Sequence, residues 1–347
     1  MRSRDGTGSI EAVTIRDNDA LWRRFGNALQ RAEAGQGAAG SYPMLASAYP
    51  LFIAVEQAGS RWQMLGSANP TPQDARDDLA HQFLMRASDA AEGSALQADY
   101  RSAADVLDWE RRDEMTVVGR RFRIARIERI VRLGADGPEP PRATDGGSVP
   151  SGGDRVSSGG DRVPSGGDRA GSLAGSEITF IGDSDSDVSR SSAALRSELR
   201  ESRTKAGSVP PEMIADERRA REAYPRLVLL GARFAIAEQI DGTWGSFSLS
   251  EHATPAEARE SLISYFRDSA PTWEKPGEEV CAAFAEAADV LDRDRAYEVT
   301  AAGRRFRIIR IEQIVRMGAE GPEPPRSSDF DPYPPPAAQA QQSPDHS

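Results

Sequence analysis

Residues 119–142 read GRRFRIARIERIVRLGADGPEPPR, and residues 303–326 read GRRFRIIRIEQIVRMGAEGPEPPR, with four substitutions in 24 positions. Chance does not produce such a match, so the chain is read as carrying one unit of sequence twice. Walking backwards from this anchor, 104–108 (ADVLD) matches 288–292 (ADVLD). Thr71-Pro72 matches Thr254-Pro255, Glu56-Gln57 matches Glu238-Gln239, and Tyr42-Pro43 matches Tyr224-Pro225. The copies run over 42–145 and about 224–330.

The second copy sets the expected fold. An almost continuous apolar run over 227–239 ends at Asp241-Gly242, a strong two-residue hairpin signal, and 243–250 returns as a second strand. Thr254-Pro255-Ala256-Glu257 is a capping box with proline at the first helical position. Behind it Ala258, Leu262 and Phe266 fall four apart, as do Ala75, Leu79 and Phe83 in the first copy. Pro271, Pro276 and Gly277 are expected to end that helix. A second helix follows with Val280, Phe284, Ala287 and Leu291 in one stripe, mirrored by Leu96, Tyr100, Ala103 and Leu107. Strands over 297–301 and 305–315 close the copy. The expected class is α+β: a tandem ββααββ domain, an antiparallel sheet with two helices on one face. Phe306 and Ile308 alternate against Ile309 and Ile311, so either both faces of the last strand are covered or a bulge lies near Ile309.

Outside the copies the sequence changes character. Residues 146–210 hold the recurring SGGDRV unit with paired glycines, which forms neither helix nor coiled-coil seam and is expected to be a disordered tether spanning on the order of 45 Å. Asp183, Asp185 and Asp187 imitate a calcium loop, but Val188 and Ala194 stand where it requires glycine and glutamate. The first 41 residues contain one amphipathic stretch, with Leu21, Trp22, Phe25 and Leu29 on one face. Residues 211–223 read as a helix preceding the second copy (domain 211–330), and 331–347 as a disordered proline-rich tail.

A formal charge of −11 argues against a protein built chiefly to grip nucleic acid or an anionic membrane. By copy the balance is 13 basic to 16 acidic residues, then 13 to 18. Lys205 and Lys275 are the only lysines among 43 basic residues, a bias that a GC-rich genome produces unaided. The single cysteine, Cys281, cannot form an intrachain disulfide, and no stretch has the length and apolarity of a signal peptide or membrane span, so a cytoplasmic location is expected.

The surface expected to matter is the one the copies share: Arg121, Arg123, Arg126, Glu128, Pro138, Glu139 and Arg142, with Arg305, Arg307, Arg310, Glu312, Pro322, Glu323 and Arg326. Asp113, Glu114 and Glu128, and Asp294, Glu298 and Glu312, are within hairpin reach of these arginines, so ion-paired strand faces are expected over phosphate sites. The Gly-Pro-Glu-Pro-Pro-Arg element is an extended strap that costs little entropy to fix in a groove, and the nearest groove is on its own domain. No histidine or cysteine is common to both copies and no phosphate-binding glycine loop occurs, so no catalytic, cofactor-binding or metal-binding residue is expected. The expected partner is the other copy or another protein. The alternative is a small anionic ligand or an enzyme site near Trp62 and Trp244.

The stretches at 121–142 and 305–326, with Tyr-Pro at the head of each copy, resemble a family of uncharacterised actinobacterial, Streptomyces-type proteins, domain of unknown function 5954. The resemblance covers both copies and omits the tether and tails. It implies a cytoplasmic actinobacterial protein and brings no activity, cofactor or catalytic residue.

Overall fold

A computed structural model describes residues 42–59, 61–146, 177–178, 190–201, 210–247 and 250–342. The amphipathic stretch near Leu21, the SGGDRV repeats and the calcium-like run lie outside them.

In the first copy, β1 (Met44–Ala58) turns into β2 (Arg61–Asn69); α1 (Pro72–Asp89) and α2 (Ala95–Trp109) follow, then β3 (Glu114–Val117), β4 (Arg120–Gly134) and the two-residue β5 (Gly137–Pro138). Beyond it come the short β6 (Glu177–Ile178), α3 (Arg190–Glu201) and α4 (Pro211–Ala223). The second copy repeats the order as β7 (Arg226–Ile240), β8 (Thr243–Ser246), α5 (Pro255–Ser264), α6 (Glu278–Asp294), β9 (Glu298–Ala301), β10 (Arg304–Gly318) and β11 (Gly321–Pro322), and α7 (Pro336–Gln342) follows. The ββααββ order is therefore present in both halves, extended by the strand in each strap.

Local chemistry accounts for the boundaries. Asp241 (φ 50°) and Gly242 (φ 78°) both take left-handed backbone, the conformation that closes the two-residue turn pairing Ile240 with Thr243. Thr71 and Thr254 each accept a hydrogen bond from the amide three residues on, at Asp74 and Glu257, and Glu257 in turn accepts from the Ala253 amide. The helical run breaks at Pro276 and Gly277 as expected, but Pro271 lies inside it. The chain passes from α5 into a π-helical segment, Tyr265–Glu274, that contains this proline and stops at left-handed Lys275. A proline has no N–H to donate, and the wider turn accommodates the missing bond. The strand expected over 243–250 is shorter, ending at Ser246, with His252 rejoining β7 through Phe234. Leu96, expected in the apolar stripe of α2, is exposed.

The chain divides into two compact units that do not follow the boundaries expected for the copies. Of the described residues, the first unit comprises those in 42–48, 130–146 and 232–312, and the second those in 49–129, 177–231 and 313–342. Each unit thus takes its hairpins and helices from one copy and its strap from the other.

In the second unit β2 lies beside β1, β1 beside β4, and β4 beside β10. One face carries α1 and α2 over Phe52, Phe122 and Ile124, with Ala75, Leu79, Phe83, Tyr100, Ala103 and Leu107 supplying the helix side. The other face gathers Ile53, Val55, Trp62, Met64, Ala125, Ile127, Val315 and Met317. In the first unit the order is β4, β10, β7, β8. Phe306 packs with Leu262, Phe266, Phe284 and Leu291 on the helical face, while Ile309 and Ile311 join Val131, Leu133, Ala235, Ala237 and Trp244 on the opposite one. Of the two explanations for the unbroken apolar run in β10, burial of both faces holds; β9 pairs with β10 in steady register from Arg304 to Arg307.

Two stretches expected to be structureless carry order. Helix α3 and strand β6 stand inside 146–210, with Leu195 and Leu199 buried and the Leu199 carbonyl accepting from Arg221 of α4. Within the tail, Asp331 accepts from the Gln73 amide at the start of α1 and from the Arg76 guanidinium, both in the second unit. Among the described residues, no helix is long and apolar enough to cross a membrane.

Candidate functional site

The shared arginines project from β4 and β10 in two alternating sets, because successive strand residues face opposite ways. In the first unit Arg305 and Arg307 share a face with Ile309, and their guanidiniums lie 5.2 and 4.8 Å from the centre of the Trp244 ring. Arg307 is 3% exposed. It donates to the carbonyls of Asp136 (2.9 Å) and Pro138 (3.0 Å), to the Asp136 carboxylate (2.7 Å) and to Glu298 (2.6 Å). Arg305 pairs with Glu298 and Asp136. Gly137 (φ 109°) lies flat on the indole: a Cβ built there would come within 2.2 Å of Trp244 Nε1. No other residue type fits between this tryptophan and the strap.

The second unit repeats the arrangement. Arg121 and Arg123 stack 5.7 and 5.6 Å from the Trp62 ring centre, and both pair with Glu114. Arg123 donates to the Pro322 carbonyl at 2.8 Å, Arg121 reaches Glu320 at 3.4 Å, and a Cβ on Gly321 (φ 114°) would approach Trp62 Cζ2 to 2.5 Å. The strap recognised by each tryptophan and arginine pair comes from the other copy, which corrects the expectation that each strap lies on its own domain. A backbone bond fixes it: the Arg310 amide donates to the Glu139 carbonyl (2.9 Å), and the Arg126 amide to the Glu323 carbonyl (2.8 Å). The strap also keeps a bond to its own strand, from the Glu139 amide to Arg132 O and from the Glu323 amide to Arg316 O.

The alternate strand residues form the second half of each site. Arg126 pairs with Asp329 (3.0 Å) and Glu128 (3.2 Å), while Arg316 and Arg326 also reach Glu128, at 3.0 and 2.7 Å. Burial alone would push the Glu128 carboxyl up, but the combined field of Arg316, Arg126 and Arg326 overrides it and holds the group at about 2. Glu323 is gripped in bidentate fashion by Arg326, yet its almost complete burial dominates and its carboxyl titrates above the ordinary range. In the first unit Arg310 pairs with Asp145 and Glu312, and Arg142 holds Glu139 in the same bidentate way while approaching Glu312 at 3.9 Å.

All fourteen sequence-selected residues therefore fall in two equivalent constellations, one per unit. The expected pairings of Glu114, Glu298, Glu128 and Glu312 with the strand arginines are present. Asp113 and Asp294 pair elsewhere, with Arg76 and Arg293. Sequence reasoning missed Asp136, Glu320, Asp145 and Asp329, although these acids recur at equivalent positions in both copies. It also missed the base each tryptophan provides for its arginines. Trp62 and Trp244 are core residues covered by straps, so the space a ligand would need beside them is filled. Both guanidiniums of the buried pair Arg123 and Arg307 are committed to carbonyls, carboxylates and an aromatic face.

The match to a family of unknown function, DUF5954, extends over residues 27–332, and the chain belongs to that family. The match is continuous across both copies and the stretch between them. No curated protein and no solved structure matches the chain.

Proposed function

We propose that this is a noncatalytic, cytoplasmic interaction protein, built from a tandem repeat, whose first interaction is internal: each repeat binds the strap of the other. The observation that carries this reading is the double set of strap contacts, in which Arg307 and Arg123 meet carbonyls of the other repeat's strap and Gly137 and Gly321 lie against Trp244 and Trp62. The single cysteine and arginine-dominated composition agree with a reducing compartment and with the actinobacterial origin that the family resemblance implies.

A protease site inserted within 147–176 of the full chain tests the internal interaction. After cleavage the fragments are expected to co-elute in native gel filtration and to separate only in denaturant. Fragments that separate in native buffer while remaining folded would refute the reading.

A further inference from the structure

Each strap is a tight turn carrying an acid, Asp136 or Glu320, that folds Gly-Pro back onto its own strand (Gly137 on Gly134, Gly321 on Gly318) and runs on as an extended Glu-Pro-Pro-Arg. Its receptor reads nearly every feature. The tryptophan face admits only glycine, a guanidinium 3 or 4% exposed takes the proline carbonyl, and the neighbouring arginine takes the acid at Asp136 or Glu320. The backbone amide of Arg310 or Arg126 takes the glutamate carbonyl. This is the logic by which extended peptides are recognised: main-chain bonds supply attraction, and pockets at fixed spacing supply selectivity.

The two receptors present the same residue types, and over the nine positions from Gly134 to Arg142 and from Gly318 to Arg326 the straps differ only at Asp136 and Glu320. Resting on the reading above, we infer that the tryptophan–arginine groove is a peptide-binding site for the sequence Asp/Glu-Gly-Pro-Glu-Pro-Pro-Arg, that either groove takes either strap, and that it takes one in trans from a second copy of the chain. The occupant in trans is fixed by the chemistry on the page, because each copy of the chain displays the cognate sequence twice. Intramolecular straps hold the grooves in the isolated chain, since a tethered segment is presented at roughly millimolar effective concentration. Exchange therefore appears when one strap is displaced.

The full chain carrying Gly137→Val, with its second strap intact, is titrated with peptides spanning 134–146 and 318–330 and binding is followed by isothermal titration calorimetry. Both peptides are expected to bind, with Kd values within about threefold of one another, and the unaltered chain to bind neither. The same variant mixed with a full-length Arg123→Ala chain, whose second strap has lost its anchor, is expected to give a 1:1 complex by native mass spectrometry that excess 318–330 peptide dissolves. Gly137→Ala carries the same test where the valine variant does not fold. Failure of the vacated groove to bind the 318–330 peptide, or equal binding by the unaltered chain, overturns the inference. If the cleaved chain stays together while the groove rejects that peptide, the inference falls and the internal-interaction reading stands. Separation of the cleaved chain removes that reading itself.

Discussion

Gly321→Ala places a methyl group against a wall that cannot retreat. Trp62 is 3% exposed, three of its ring atoms lie within 2.9 Å of the ideal Cβ position, and Arg121 and Arg123 are stacked on the same ring. Two costs add. Alanine at φ 114° sits in a region populated almost only by glycine, which costs about 1–3 kcal/mol. Forcing a methyl group into a filled site costs a further ~1–3 kcal/mol. Gly119→Ala isolates the first cost, because Gly119 has φ 72° and nothing within 4 Å of its Cβ position. Backbone strain of roughly 1–2 kcal/mol is all it should show. Urea unfolding followed by circular dichroism compares the two, each judged by its midpoint at unchanged slope. The expected result is a loss at Gly321 exceeding that at Gly119 by about 1–3 kcal/mol. Losses equal to within about 0.5 kcal/mol would show that the strap is not pressed on the indole and would undo the argument for a glycine-selective groove.

Three further outcomes follow from the charged network. Glu128→Gln leaves Arg126, Arg316 and Arg326 without their common counter-charge and should cost about 3–5 kcal/mol at neutral pH by urea unfolding. Because the folded carboxyl is held at about 2, below its ordinary value of 4.5, the stabilisation is present above the unfolded value and lost as pH falls between the two; the variant should lack that acid-side slope. Glu323→Gln should show the opposite sign: a carboxyl raised by burial stabilises most below its unfolded pKa and loses that contribution as pH rises through the folded value. The stability gap between parent and variant should therefore shrink from acid toward neutral pH. Asp331→Asn removes the charge that Arg76 and the Gln73 amide share, and should cost about 1–3 kcal/mol, with faster hydrogen exchange confined to the first turn of α1; unchanged protection there would show that the tail does not cap this helix.

What the sequence revealed and concealed divides along the range of the interactions. Turn chemistry at Asp241-Gly242, the caps at Thr71 and Thr254, and the stripes through Phe83 and Phe284 depend on neighbours a few residues away, and all were legible. The exchange of straps depends on residues more than 160 positions apart, such as Arg307 with Pro138 and Arg123 with Pro322. Two almost identical straps and two almost identical receptors allow either pairing by pattern alone, and the nearer one was expected. Leu195 and Leu199 were hidden for another reason: they fall four apart on one face, but the stretch is so poor in apolar residues and so close to a glycine-rich one that only tertiary contact with α4 decides the helix.

The distribution of identity between the copies also has a physical reading. The residues repeated most closely are those that face the other copy: the arginines, the straps, and the acids that bind them. Residues on the helices need chiefly to keep apolar volume toward their own sheet, so Tyr100 answers Phe284, while one stretch of the second helix, ADVLD at 104–108 and 288–292, is repeated unchanged. An arginine at 123 or 307 satisfies a proline carbonyl, a carboxylate and an indole face at once, which a lysine's single ammonium cannot. Replacing either with lysine should therefore weaken strap binding although the charge is retained. The peptide titration of the vacated groove distinguishes this from a purely electrostatic hold, in which Arg307→Lys would bind the 318–330 peptide as tightly as the parent receptor.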